Sequence, residues 1–117
     1  MDQTVEQKSF HFAVRIVSVS RFLRETKKEY VLSKQLLRSG TSIGANITEA
    51  QQAQSRADFV AKLNIALKEA CETNYWLRLL RATDYLTEPE WKSLSKDCVE
   101  IERMLTAIVK TIRQEDN

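Results

Sequence analysis

The segment Val31–Ala50, VLSKQLLRSGTSIGANITEA, decides how the rest of the chain is read. Within it Leu36, Gly40, Ile43, Ile47 and Ala50 recur at alternating steps of four and three, the spacing of a helix seam packed against its neighbours. Two glycines, Gly40 and Gly44, fall inside this run, and a glycine in a helix interior costs about 0.8–1 kcal/mol relative to alanine. Lacking Cβ atoms, they form a notch where a second helix backbone can come close. Beside the seam runs a stripe of small or polar residues: Ser39, Ser42, Asn46, Glu49 and Ala53. This pattern describes the central helix of a bundle. A competing reading splits the segment at Ser39–Gly40–Thr41 into two short helices.

Working outward, the preceding helix spans about residues 4–25, with Val5, Phe12, Ile16, Val19 and Leu23 on one seam. It carries a second apolar stripe, Phe10, Ala13, Val14 and Val17, well round the cylinder. Full burial of one large apolar side chain contributes about 1.5–3 kcal/mol, so this stripe calls for a partner surface. Self-association is the preferred explanation, and a broad face wedged between two helices of the same chain is the other. The polar run Glu25–Tyr30 ends the helix, and the central helix follows over about residues 31–53.

Ser55 and Asp58 have the spacing of a capping box that opens a third helix over about residues 56–84. Its seam is Phe59, Leu63, Ala66, Ala70, Thr73, Leu77 and Leu80. Thr87-Glu88-Pro89-Glu90 then combines a capping box with a proline in the first turn, where no amide partner is missed. The helix it opens, about residues 88–114, keeps heptad register through Trp91, Leu94, Cys98, Ile101, Leu105, Ile108 and Ile112. Four long helices with short connections predict an all-α fold, a single antiparallel up-down-up-down four-helix bundle over residues 1–117.

Composition agrees with one packed domain: 43% of the 117 residues are hydrophobic, 29% are charged, and only two glycines and one proline occur. No apolar run reaches the ~20 residues of a membrane span, and the first ten residues lack the apolar core of a signal peptide. Cys71 and Cys98 read as small buried hydrophobes in a reducing cytoplasm. A cytoplasmic protein is expected.

Charge is unevenly spread. Arg15, Arg21, Arg24, Lys27, Lys28, Lys34 and Arg38 oppose only Glu25 and Glu29, so this region is +5 on a chain of net charge +2 and the remainder is −3. Such a region suits phosphates or an acidic partner, and an ordinary solvated surface is the plain alternative. The chemistry of an enzyme is harder to find. His11 is the only histidine and no glutamate precedes it by three residues, which removes the Glu-x-x-His metal pairs of carboxylate bundles and most nucleophile–base arrangements. Asn46, Glu49, Glu69 and Glu72 form a candidate acid pair or, more simply, a polar network, with Lys68–Glu72 pairing along the third helix. Tyr75 and Trp76, with Arg78 and Arg81 beyond them, have the makings of a base-stacking surface, although at this spacing such residues are more often core and edge of a long helix. No catalytic residue, metal site or cofactor is expected.

Ser33–Leu77 resembles the bacterial four-helix-bundle family of 23S rRNA intervening-sequence proteins. The likeness is sharpest at Gln35, Arg38, Ser42, Ile43, Ala45-Asn46-Ile47 and Glu49-Ala50, and continues in Ser55, Phe59, Ile65-Ala66 and Glu72. The resemblance implies a homopentamer without enzymatic activity, encoded within 23S rRNA genes or standing alone. It further implies kinship with the accessory variability determinant of diversity-generating retroelements, a basic pentameric barrel that binds a reverse transcriptase and nucleic acid. The expected partners are therefore further copies of this chain, RNA, or a reverse-transcriptase-like protein, with no membrane. Five copies would carry about +10, enough for salt-sensitive contact if the basic region faces one rim.

Overall fold

In the computed structural model, which describes residues 3–116, four helices follow one another: α1 (Val5–Glu25), α2 (Leu32–Ala50), α3 (Arg56–Ala82) and α4 (Glu88–Glu115). No strand occurs among the described residues. Each helix packs against two others, and the pairs α1–α3 and α2–α4 stand diagonally across the core. The extents of 49 × 25 × 23 Å are those of two helix diameters in each cross direction. This is the antiparallel up-down-up-down four-helix bundle that the spacing predicts.

Capping chemistry sets most of the helix starts. Thr4 with Gln7, and Thr87 with Glu90, form reciprocal capping boxes at α1 and α4. Ser55 accepts from the Asp58 amide at α3, but the Asp58 carboxylate accepts from the Gln54 amide, so that box is only half closed. α2 has no side-chain cap from Val31. Its three leading N–H groups, of Val31, Leu32 and Ser33, donate instead to the carboxylate of Glu29 at 2.8–3.2 Å. α2 ends at Ala50, ahead of the expected residue 53, because Gln51, Gln52 and Ala53 tighten into three-residue turns onto Thr48, Glu49 and Ala50.

Within α2 the helix runs unbroken through Ser39–Gly40–Thr41, which removes the split reading. The seam residues Leu36, Gly40, Ile43, Ile47 and Ala50 are all buried, against Phe12 and Ile16 of α1 and Leu63, Ala66, Ala70 and Leu77 of α3 in one core. α4 departs from its heptad near the end: Leu105 is followed in the core by Val109, while Ile108 and Ile112 are only half-buried. A straight helix drifts ~20° per heptad, and without supercoiling the seam slips one residue onward.

Candidate interaction surface

Two features of α1 define the outer surface. Phe10 is 66% exposed, Val14 55% and Val17 36%, while Ala13 is half-buried. The reading in which other helices of the chain cover this stripe is therefore overturned: the bundle core takes Phe12, Ile16 and Leu23 and leaves the opposite side of α1 bare. A shallow groove of about 220 Å³ runs alongside, with Phe10 and Ala13 on one wall and Thr41, Gly44 and Ala45 of α2 on the other. The stripe continues at the same spacing of four and three into Arg21 and Arg24, both exposed. One face of α1 is thus apolar over its first half and cationic over its second.

The basic region is smaller than its sequence count. Arg15 donates to Asp97 at 2.7 Å and to Ser93 of α4, and Arg38 forks between Glu69 (3.2 Å) and Glu72 of α3. Neither is a free cation, so both bring less net positive charge to the expected nucleic-acid surface than their count implies. Arg21, Arg24, Lys27, Lys28 and Lys34 are exposed and enter no ion pair among the described residues. All five lie at the end of the bundle where α1 passes into α2. Of the two acids counted against them, Glu29 is turned inward to cap α2. Burial pushes its carboxyl up, but the amides of Leu32, Ser33 and Val31 outweigh that and hold it below the usual carboxylate range.

Lys28 itself sits in the left-handed region (φ 57°), closing α1 as the Glu29 amide reaches back to the Leu23 carbonyl at 2.9 Å. Helices prefer glycine at this position. The α3–α4 connection, at the same end, is built alike with Asp84 at φ 67° and the Tyr85 amide on Leu80.

The two glycines prove unequal. A Cβ on Gly40 would stand 2.8 Å from the side chain of buried Ile16, whereas one on Gly44 would meet Ser9 at 3.4 Å, an ordinary contact. The notch is therefore Gly40. Around it α1 and α2 touch through small groups, the Ser20 hydroxyl donating to the Ser33 carbonyl at 3.0 Å in a buried site.

The four expected network residues do not form one network. Glu69 and Glu72 converge on Arg38, and the Trp76 indole N–H donates to Glu72 at 2.9 Å. That indole and then Arg38 lower the Glu72 carboxyl, so it stays ionised and Lys68 is not its partner. Asn46 instead bonds Ser42 within α2, and Glu49 faces Lys62 at 3.7 Å. Trp76 is half-buried and only Tyr75 is exposed, the core-and-edge arrangement of a helix. Cys98 is buried, its thiol donating to the Ala70 carbonyl and pushed up to about 12 chiefly by burial. Cys71 departs from expectation and is exposed on α3, because the α3 seam passes through Ala70 and Thr73 on either side of it. Among the described residues no group of three or more His, Cys, Asp or Glu side chains gathers as metal ligands, and no helix is long and apolar enough to cross a membrane.

Three features escaped the sequence reading. Glu29 as the α2 cap is one, signalled only by an acid shortly before a helix. A second is the latch between α1 and α4, in which Lys8 meets Glu100 at 2.7 Å and Asp97 at 3.5 Å. The third is Phe22, 38% exposed beside Leu23, which takes the core position, with the Lys27 ammonium 5.8 Å from its ring centre.

This geometry has a close relative. A protein of unknown function from the S23 ribosomal protein family of Bacteroides thetaiotaomicron, solved at 1.70 Å resolution, is 60% identical to the chain. The match covers 91% of this chain and 95% of that one, with a TM-score of 0.90. No curated protein matches. The family model described as 23S rRNA-intervening sequence protein matches residues 1–107. The chain accordingly belongs to the 23S rRNA-intervening sequence protein family.

Proposed function

We propose that the protein is a non-enzymatic, self-assembling helical bundle that holds RNA, or a protein that processes RNA, at its basic α1–α2 end. The observation that carries this reading is the outer face of α1, where exposed Phe10, Val14 and Val17 run on into exposed Arg21 and Arg24. Apolar side chains this large are stabilised by burial, and the neighbouring groove, walled by small residues of α2, offers room for a second copy's side chains. Subunits joined through the apolar half would gather their cationic halves into one rim. The family resemblance implies five such subunits, and the cysteine usage suits a cytoplasmic setting. A rim of unpaired lysines and arginines binds phosphates by releasing counterions, so affinity falls steeply with salt.

Lys28 supports a functional role for this end. A non-glycine residue in left-handed backbone costs about 1–2 kcal/mol, and such strain gathers at working sites. Lys28→Gly should therefore raise stability by up to about 1 kcal/mol in urea unfolding while weakening RNA binding.

The direct test is titration of labelled RNA with the wild type and with a Lys27→Glu/Lys28→Glu/Lys34→Glu variant whose circular dichroism is unchanged. The expected result is salt-sensitive binding that the variant loses. Equal binding by both would reject this end as the contact. A second reading, a protein-interaction scaffold without nucleic-acid affinity, draws on the diversion of Arg15 and Arg38 into ion pairs, which leaves a smaller cationic footprint. Flat RNA titrations beside a specific co-purifying protein would favour it.

A further inference from the structure

Next to the basic end, α1 and α4 part to leave a groove of about 420 Å³, walled by Val19, Phe22, Leu86 and Leu94 and edged by Arg15 and Glu90. Its charges are ordered. Arg15 is already tied to Asp97 and brings little net positive charge to the interior. Glu90 takes the Thr87 amide at 2.8 Å as part of the α4 capping box, and this bond, then the Thr87 hydroxyl, holds its carboxyl below the usual range. An ionised carboxylate repels phosphate and accepts N–H donors. Beside the groove Lys27 holds its ammonium over the Phe22 ring, 5.8 Å from the ring centre, and its charge is felt at Glu90. The groove therefore suits a flat group with an apolar face and N–H edges, and the Lys27 side suits an anion.

We infer that this groove receives an unpaired nucleobase, its face on Phe22 and its phosphate toward Lys27, so that the RNA held at this end is single-stranded. The inference rests on the RNA reading above and sharpens it. In a duplex the base faces are stacked on one another and the pairing edges are occupied, so neither Phe22 nor Glu90 could be engaged. Single strands bind by this combination of a cationic track and an aromatic platform. An apolar peptide side chain would fill the groove equally well, but it would leave Lys27 and its four unpaired neighbours without a counterpart.

The test compares fluorescence anisotropy of three probes on the full chain at one salt concentration. They are an RNA strand of about 12 nucleotides, within the usual range of single-strand sites, its blunt duplex, and the same strand with abasic sugars. The single strand should bind most tightly. Phe22→Ala should weaken it roughly 5- to 150-fold, the equivalent of one lost base stack, while leaving duplex and abasic binding unchanged. Phe22→Trp, which keeps a stacking face, should restore it. Equal affinity for strand, duplex and abasic probe, or indifference to Phe22→Ala, would overturn the groove inference and leave the basic end intact as an RNA contact. Failure of the wild type to bind any of the three at low salt would remove both. Protection of Phe22 ring protons by an apolar peptide, but not by RNA, would give the groove to a protein partner and overturn the inference as well.

Discussion

The two seams that α1 makes are built on different principles. Toward α2 it meets Gly40, Ser33 and Gly44 with Ile16, Ser20 and Ser9, so the backbones approach closely and the contact is apolar or hydrogen-bonded. Toward α4 the helices touch least, and Lys8 and Arg15 reach across to Glu100 and Asp97 while a groove stays open beside them. Close packing leaves no room for an added atom over Gly40, whereas a charged latch between part-exposed groups is worth little and is screened by salt. The α1–α2 seam should therefore carry stability, and the α1–α4 seam room for a visitor.

The largest effect should come from filling the notch. Gly40→Ala puts a methyl 2.8 Å from buried Ile16, and overpacking of this kind costs about 1–3 kcal/mol, more than the helix propensity it gains. The same change at Gly44 meets only ordinary contacts and should stabilise the fold by up to about 1 kcal/mol. Urea midpoints that move in opposite directions would bear out the contrast. A shift of the same sign and size at both positions would break it.

Next in size is the cap at the head of that seam. Glu29→Ala strips the Val31, Leu32 and Ser33 amides of their acceptor and should cost about 1–2 kcal/mol. Because the folded-state carboxyl is held below its ordinary range by the Leu32, Ser33 and Val31 amides, this stabilisation is fully present above the ordinary carboxylate range and is lost as pH falls through the lower folded value. Wild type and variant should thus differ in thermal midpoint at pH 7 and converge in strong acid. A difference that persists there would mean the cap acts through something other than its charge.

The smallest effect belongs to the latch. Asp97→Asn removes the partner of Arg15 and one partner of Lys8, yet these groups are part-exposed and the loss should stay within about 1 kcal/mol. It should shrink further in added salt. A cost as large as that of Gly40→Ala would show that α4 is held as firmly as α2.

Much of the fold was legible from the chain because seams at steps of four and three name the core directly. Phe12, Ile16, Leu36, Ile43, Leu77 and Leu105 are fully buried as that spacing requires. The surface was harder, for reasons that are tertiary. Arg15 and Arg38 look like their unpaired neighbours until α4 and α3 bring Asp97 and Glu72 to them. Gly40 and Gly44 look alike until α1 sets Ile16 over one and Ser9 beside the other. Periodicity could show that the Phe10 stripe lay off the core but could not tell a neighbouring helix from solvent. Phe22 gave no signal beyond its adjacency to Leu23, since only the spread of α1 from α4 makes a groove there.

On the proposed reading, the bare face of α1 joins copies of this chain. Light scattering coupled to size exclusion, on the wild type and on a Phe10→Glu/Val14→Glu variant, tests it most directly. The expected result is a wild type of several chains, five by the family resemblance, and a variant that runs as one chain with unchanged helical circular dichroism. A monomeric wild type, or a variant that keeps the full assembled mass, would contradict it.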